Sequence, residues 1–151
     1  MQWSGKKSLS QFLLNITHFC CYSTVTKRET MGNPIVHWEI CAKNPEKSVE
    51  FYKKLFDWNI EYTREINYWM CNVGKGGIGG GIFKAEGEMP NYVTIYVEVD
   101  DLQKALDKAA SLGAFIIAEP TPIPGVGSYA MFADLEGNAI GLFKCLESDT
   151  K

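Results

Sequence analysis

The chain has 151 residues, 46% of them hydrophobic and 22% charged, with a net charge of −3. Those values describe one globular domain long enough to bury a core, and no apolar run approaches the roughly 18–20 residues that cross a bilayer as a helix. Charge is uneven: residues 1–30 carry a net of +3 (Lys6, Lys7, Lys27 and Arg28 against Glu29) and the remainder a net of −6. The main domain therefore lacks the clustered Lys and Arg that bind phosphate backbones, and neither a nucleic-acid nor a membrane partner is expected.

Residues 1–31 read as an extension. A broken apolar patch from Leu9 to Phe19 follows Lys6 and Lys7, without a small-residue cleavage pattern. Three readings stand open: an organelle-targeting segment, an upstream-start artefact ahead of Met31, or an extra helix. The five cysteines, Cys20, Cys21, Cys41, Cys71 and Cys145, form no CxxC pair. Reduced thiols and a cytoplasmic location are the expectation.

From residue 33 the pattern becomes regular. Ile35–Ile40 is rich in β-branched and aromatic residues, as a strand requires. Asn44 and Pro45 then supply an N-cap and a first helical residue, and Val49, Tyr52, Leu55 and Phe56 recur at helical spacing. Three strands are predicted near 58–63, 67–73 and 78–84. The same order repeats: a strand over Tyr92–Val99, a helix capped by Asp101 and ended by Gly113, then strands near 114–118, 127–133 and 139–144. The two copies superimpose at an offset of 57 residues through their first strand and helix, which places Glu39 on Tyr96 and His37 on Thr94. Residues 32–148 thus form one domain of two modules, 33–87 and 91–145. Either module alone is too small to close a good core.

Strand alternation divides the faces. Val36, Trp38, Ile40 and Ala42 suit a helix, and so do Val93, Ile95, Val97 and Val99. The opposite stripes are His37, Glu39 and Cys41 in one lead strand, and Tyr92, Thr94, Tyr96 and Glu98 in the other.

Three segments carry a family resemblance: VHWEICAKNPEKSVEFYKKLFDW, VTIYVEVDDLQKALDKAASLGA and PGVGSYAMFADLEGNAIGLFK. Across 33–145 the chain resembles the vicinal oxygen chelate superfamily, which includes glyoxalase I, bleomycin-resistance proteins and extradiol dioxygenases. The resemblance implies an α+β fold of two βαβββ modules, built as paired curled mixed sheets around a groove, and a homodimer. It also implies a metal in the groove of catalytic members, held at four positions. His37 fits the first. The last strand of the first half, Gly79-Gly80-Gly81-Ile82-Phe83, offers no ligand for the second. Thr94 stands at the third and Gly141 at the fourth. No cofactor is expected in the standard pattern; a divalent metal completed by non-standard or partner-chain groups is the alternative.

His37 and Glu39 share a face and are the candidate catalytic pair, with a hydrogen-bonded structural pair as the plain alternative. Trp69, Thr94, Tyr96 and Glu98 are the candidate substrate-binding residues. Core packing is the reading for Trp38 and Phe132. The glycine-rich stretch 74–81 lacks the closing Lys-Ser/Thr and the following helix of a phosphate loop, so it reads as a hairpin approach. Three functions follow, in order: a small-molecule-binding protein without the standard metal, a divergent glyoxalase-like lyase or isomerase using His37 and Glu39, and a non-catalytic structural or regulatory module.

Overall fold

A computed structural model describes residues 32–146. The extension assigned to 1–31, with Cys20 and Cys21, lies outside the described residues, as does the end of the domain assigned to 32–148. The first module comprises β1 (Ile35–Ala42), α1 (Pro45–Phe56), β2 (Asn59–Thr63), a short 3₁₀ turn, β3 (Tyr68–Asn72) and β4 (Gly80–Lys84). The second comprises β5 (Tyr92–Glu98), α2 (Leu102–Ser111), β6 (Phe115–Ile123), β7 (Gly127–Ala133) and β8 (Ala139–Cys145).

Both helices begin where the capping chemistry dictates. Asn44 Oδ1 accepts from the Lys47 N–H at 3.0 Å, and Asp101 Oδ1 accepts from the Lys104 N–H at 3.0 Å. The first helix stops at Asp57, whose left-handed φ of 55° turns the chain into β2. The hairpin into β8 is tied by Asp134: Oδ1 accepts from the Glu136 and Asn138 N–H groups at 2.9 and 2.8 Å, and Oδ2 from Asn138 Nδ2 at 2.9 Å. That knot sets the register of the last strand.

The sheet corrects one expectation. The halves do not make paired curled sheets; all eight strands belong to one mixed sheet in the order β2-β3-β4-β1-β5-β8-β7-β6. The reason is the placement of the lead strands. β1 pairs in parallel with β4 on one side and antiparallel with β5 on the other, while β5 pairs in parallel with β8. With both edges of both lead strands used, the modules fuse at the centre. β2 and β6 are left as outer edges that do not pair with each other. Edge chemistry suits them: β6 carries Pro120 and Pro122 and two register breaks, and β2 carries Glu61.

Both helices pack on one face, over two apolar clusters. Val49 of α1 sits with Ala42, Ile60, Cys71 and Ile82, flanked by Trp38, Ile40 and Trp69. Leu102 and Leu106 of α2 sit with Val99, Ala130 and Leu142, flanked by Phe132. The opposite face is thereby freed of a helix and carries the polar stripes. Leu106 is 1% exposed, and Leu112, the residue that caps the helix C-terminus, is 68% exposed. Leu106→Ala is expected to lower unfolding stability by about 2–5 kcal/mol and Leu112→Ala by less than about 0.5 kcal/mol. Parallel denaturant titrations of the two variants check this; equal losses would reject the helix-side core.

Candidate functional site

The centre of the sheet joins equivalent residues of the two modules. Trp38 pairs with Ile95 in the β1–β5 ladder, and these positions correspond under the internal duplication. An approximate two-fold axis therefore runs through that pair. On the helix-free face next to it, Tyr96 Oη donates to Glu39 Oε2 at 2.7 Å, across a sequence separation of 57. Equivalent residues thus meet at the axis.

Around this contact lies a four-residue cluster. Tyr68 Oη donates to Glu39 Oε1 at 2.8 Å, and His37 Nε2 lies 2.9 Å from Tyr68 Oη. A phenol has one proton. With that of Tyr68 directed to the Glu39 carboxylate, His37 carries its hydrogen on Nε2 and donates to Tyr68, leaving Nδ1 as its basic atom. The chain of contacts is His37–Tyr68–Glu39–Tyr96. The sequence supplies these contacts by period-two alternation on β1, β3 and β5.

Burial shifts every ionisable member of the cluster. Loss of water pulls His37 down from 6.5 to about 4, so it is neutral near pH 7. The same cause raises Glu39, partly offset by the Tyr96 and Tyr68 hydrogen bonds that favour the carboxylate. Burial and the Glu39 charge together hold both tyrosines in the phenol form. The arrangement holds one acidic group between two hydroxyl donors, with a neutral imidazole at one end.

A cavity of about 540 Å³ opens over this cluster. His37, Glu39, Tyr68 and Tyr96 line it together with Phe83, Tyr92, Tyr129, Met131 and Phe143, so both modules contribute. Volumes of several hundred Å³ with a few convergent polar groups are typical of small-molecule sites.

The residues singled out from the sequence are distributed unevenly. His37, Glu39 and Tyr96 come together at the cavity. Trp69 lies on the helix side: it pairs with Ile82 in the β3–β4 ladder and packs against the first apolar cluster. Its neighbours Tyr68 and Met70 line the cavity. Thr94 is 2% exposed and donates from Oγ1 to the Ala139 carbonyl at 2.7 Å, fastening β5 to β8. Glu98 is half-buried, stands opposite Phe143 at the end of the β5–β8 ladder and does not line the cavity. Tyr129, Met131 and Phe143 were not singled out. The signal for the first two was present: once Ala130 and Phe132 face a helix, Tyr129 and Met131 must face away.

The residues on this face do not fit the four-position metal pattern. Gly81 of β4 and Gly141 of β8 stand there, and a Cβ on either would overlap a tyrosine ring, Tyr68 over Gly81 and Tyr96 over Gly141. Thr94 is turned to a backbone carbonyl, and His37 Nε2 is engaged by Tyr68. Among the described residues no three His, Cys, Asp or Glu side chains gather as a metal-binding group. No helix there is long and apolar enough to cross a membrane.

Comparison with known proteins agrees with this architecture. Residues 34–142 match the Glyoxalase/Bleomycin resistance protein/Dioxygenase superfamily, and the chain belongs to that family. It is 30% identical over 109 residues to proteins named "Putative glyoxylase CFP32" from Mycobacterium bovis and Mycobacterium tuberculosis. The match covers 70% of this chain and 42% of those proteins, so the chain spans less than half the length of these relatives. Among solved structures, methylmalonyl-CoA epimerase from Mycobacterium tuberculosis shares the fold with a TM-score of 0.58 at 12% identity, over 79% of this chain and 93% of that one. The Mn(II)-bound glyoxalase from Novosphingobium aromaticivorans does so with a TM-score of 0.57 at 15% identity, over 74% of this chain and 38% of that one.

Because the unfolded His37 takes up a proton near 6.5 and the folded one only near 4, stability is lost as pH falls through that window. The full effect is on the order of 3 kcal/mol. A His37→Gln variant is expected to lack that part of the acid slope, measured by urea titrations between pH 7 and about 4; an unchanged slope would place the imidazole in water. Gly141→Ala is expected to push the Tyr96 ring off Glu39 and to lower stability by about 1–3 kcal/mol. A thermal melt indistinguishable from that of the parent would reject the close approach.

Proposed function

We propose that this chain is a small-molecule-binding member of its family, taking a ligand with a planar, apolar body into the cavity above Glu39. The observation that carries this reading is the aromatic lining converging on one hydrogen-bonded carboxylate. Burying a carboxylate and two phenols without a ligand-facing role is an expensive way to fill a sheet face that apolar side chains would fill more simply. Tyr92, Tyr129 and Phe143 supply flat surfaces, and the Glu39 cluster fixes orientation. Glu98, Thr94 and Trp69 support the walls from outside the cavity rather than touch the ligand. The reading carries with it a homodimer in the cytoplasm, without nucleic-acid or membrane partners, and residues 1–31 as an appendage to the binding domain.

A second reading is favoured by one specific feature. Neutral His37 and a carboxylate shifted toward neutral pH are joined through Tyr68, a path along which a proton can move. On this reading Glu39 removes a proton from carbon next to a carbonyl, and the protein is a lyase or isomerase of divergent mechanism.

The test uses N-phenyl-1-naphthylamine, a neutral planar fluorophore, titrated into the full chain. One bound dye per chain is expected, with affinity lost more than about tenfold in Met70→Trp, which fills the cavity. Absence of binding, or binding indifferent to Met70→Trp, would overturn the cavity assignment. Deuterium uptake at the α-carbon of a bound carbonyl compound, abolished by both Glu39→Gln and His37→Gln, would move the assignment to the second reading.

A further inference from the structure

The ligand-facing chemistry of the cavity is one-sided in charge. Glu39 is half-buried, and its hydrogen-bond partners are two uncharged phenols; no lysine or arginine approaches it within ion-pair distance among the described residues. The other charged side chains at the cavity, Lys84 and Glu86, stand exposed at its mouth and offset each other. His37 is neutral at physiological pH. Among the described residues, this carboxylate has no cationic partner.

The walls have the same bias. Tyr68, Tyr92, Tyr96 and Tyr129 surround the carboxylate, and Phe83 and Phe143 close the ring. Tyr92, Tyr96 and Tyr129 line the cavity together, the first two from β5 and the third from β7. Tyr68 and Tyr96 spend their protons on Glu39, so neither phenol has a hydrogen left to donate to a ligand. Aromatic faces carry negative potential at the ring centre, and phenol oxygens and a carboxylate add to it. Among the described residues the one charge inside the cavity is negative.

We propose that the cavity binds an organic cation, a protonated amine on an aromatic or apolar body, with its ammonium against Glu39 and its body among Tyr92, Tyr129 and Phe143. This rests on the small-molecule reading of the same cavity and names the ligand's charge. The ammonium supplies a counter-ion to Glu39, its N–H groups meet the carboxylate oxygens, and its carbon substituents lie on tyrosine faces. A carboxylate or phosphate ligand meets the opposite: repulsion from Glu39, with only uncharged donors such as the Tyr92 and Tyr129 hydroxyls beside it.

Three probes with one ring separate the terms: benzylammonium, benzyl alcohol and benzoate, titrated calorimetrically into the full chain near pH 7. Benzylammonium is expected to bind about tenfold or more tightly than the other two, as a desolvated charge pair with cation–π contact would give. Glu39→Gln is expected to collapse the ratio of benzylammonium to benzyl alcohol affinity to within about twofold. Tyr129→Leu, which leaves the carboxylate cluster intact, is expected to lower that ratio about three- to tenfold. Benzyl alcohol or benzoate binding as tightly as benzylammonium, displaced by the cavity-filling Met70→Trp, would overturn the cation assignment and leave the binding function standing. Failure of all three probes together with the neutral dye would remove both. A ratio unaltered in Tyr129→Leu and in Glu39→Gln would place the cation elsewhere on the surface and reject the site.

Discussion

The antiparallel pairing of β1 with β5 sets everything else in this molecule. Each lead strand gives its other edge to the last strand of its own module, so the two copies are joined backbone to backbone along the approximate two-fold. That pairing determines which side chains become neighbours. Trp38 and Ile95 meet on the helix side. On the free side, Glu39 of one copy reaches Tyr96 of the other. A shift of one residue would send every cavity-facing side chain into the helix-side core, so the hydrophobic stripes on β1 and β5 hold the register that the site requires.

The cluster also explains the glycines. A tyrosine ring needs a clear backbone below it, and Tyr68 lies over Gly81 while Tyr96 lies over Gly141. The two glycines occupy related places, each on the strand that runs parallel to a lead strand. In each module a small residue on that strand is matched with a phenol from a neighbouring one, and both phenols point to a single carboxylate. A carboxylate placed at Gly141 alone would collide with Tyr96 and leave Glu39 with one donor, so the tyrosines and glycines can change only together.

Much of this was legible in the residues. Helix caps at Asn44 and Asp101, the repeated element order and the two faces of each lead strand all follow from local chemistry, which acts over a few residues. Sheet closure did not follow. Whether two modules curl separately or share one sheet depends on which strand edges pair, and alternation along a strand says nothing of its edges. Trp69 and Tyr68 show the same limit at the site. Their strand, Tyr68–Asn72, has bulky residues at both parities, so only its pairing with the buried Ile82 on β4 assigns Trp69 to the helix side and Tyr68 to the cavity. Thr94 sits on the expected stripe, yet its hydroxyl is short enough to reach the Ala139 carbonyl and is consumed there.

His37 gains a different meaning from this network. In isolation a lead-strand histidine reads as a ligand or a base. Here its Nε2 faces a phenol whose proton is already committed to Glu39, and desolvation keeps the ring neutral. A neutral imidazole that donates to Tyr68 makes that hydroxyl a better donor in turn, since hydrogen bonds in sequence polarise one another. The beneficiary is the Glu39 carboxylate at the end of the chain. His37 therefore acts on any ligand through Glu39, and its protonation would set a second cation beside the site and weaken the hold on an ammonium. The charge state of the first residue in the relay and the sign of the ligand's charge are two faces of one electrostatic balance, centred on a single buried carboxylate.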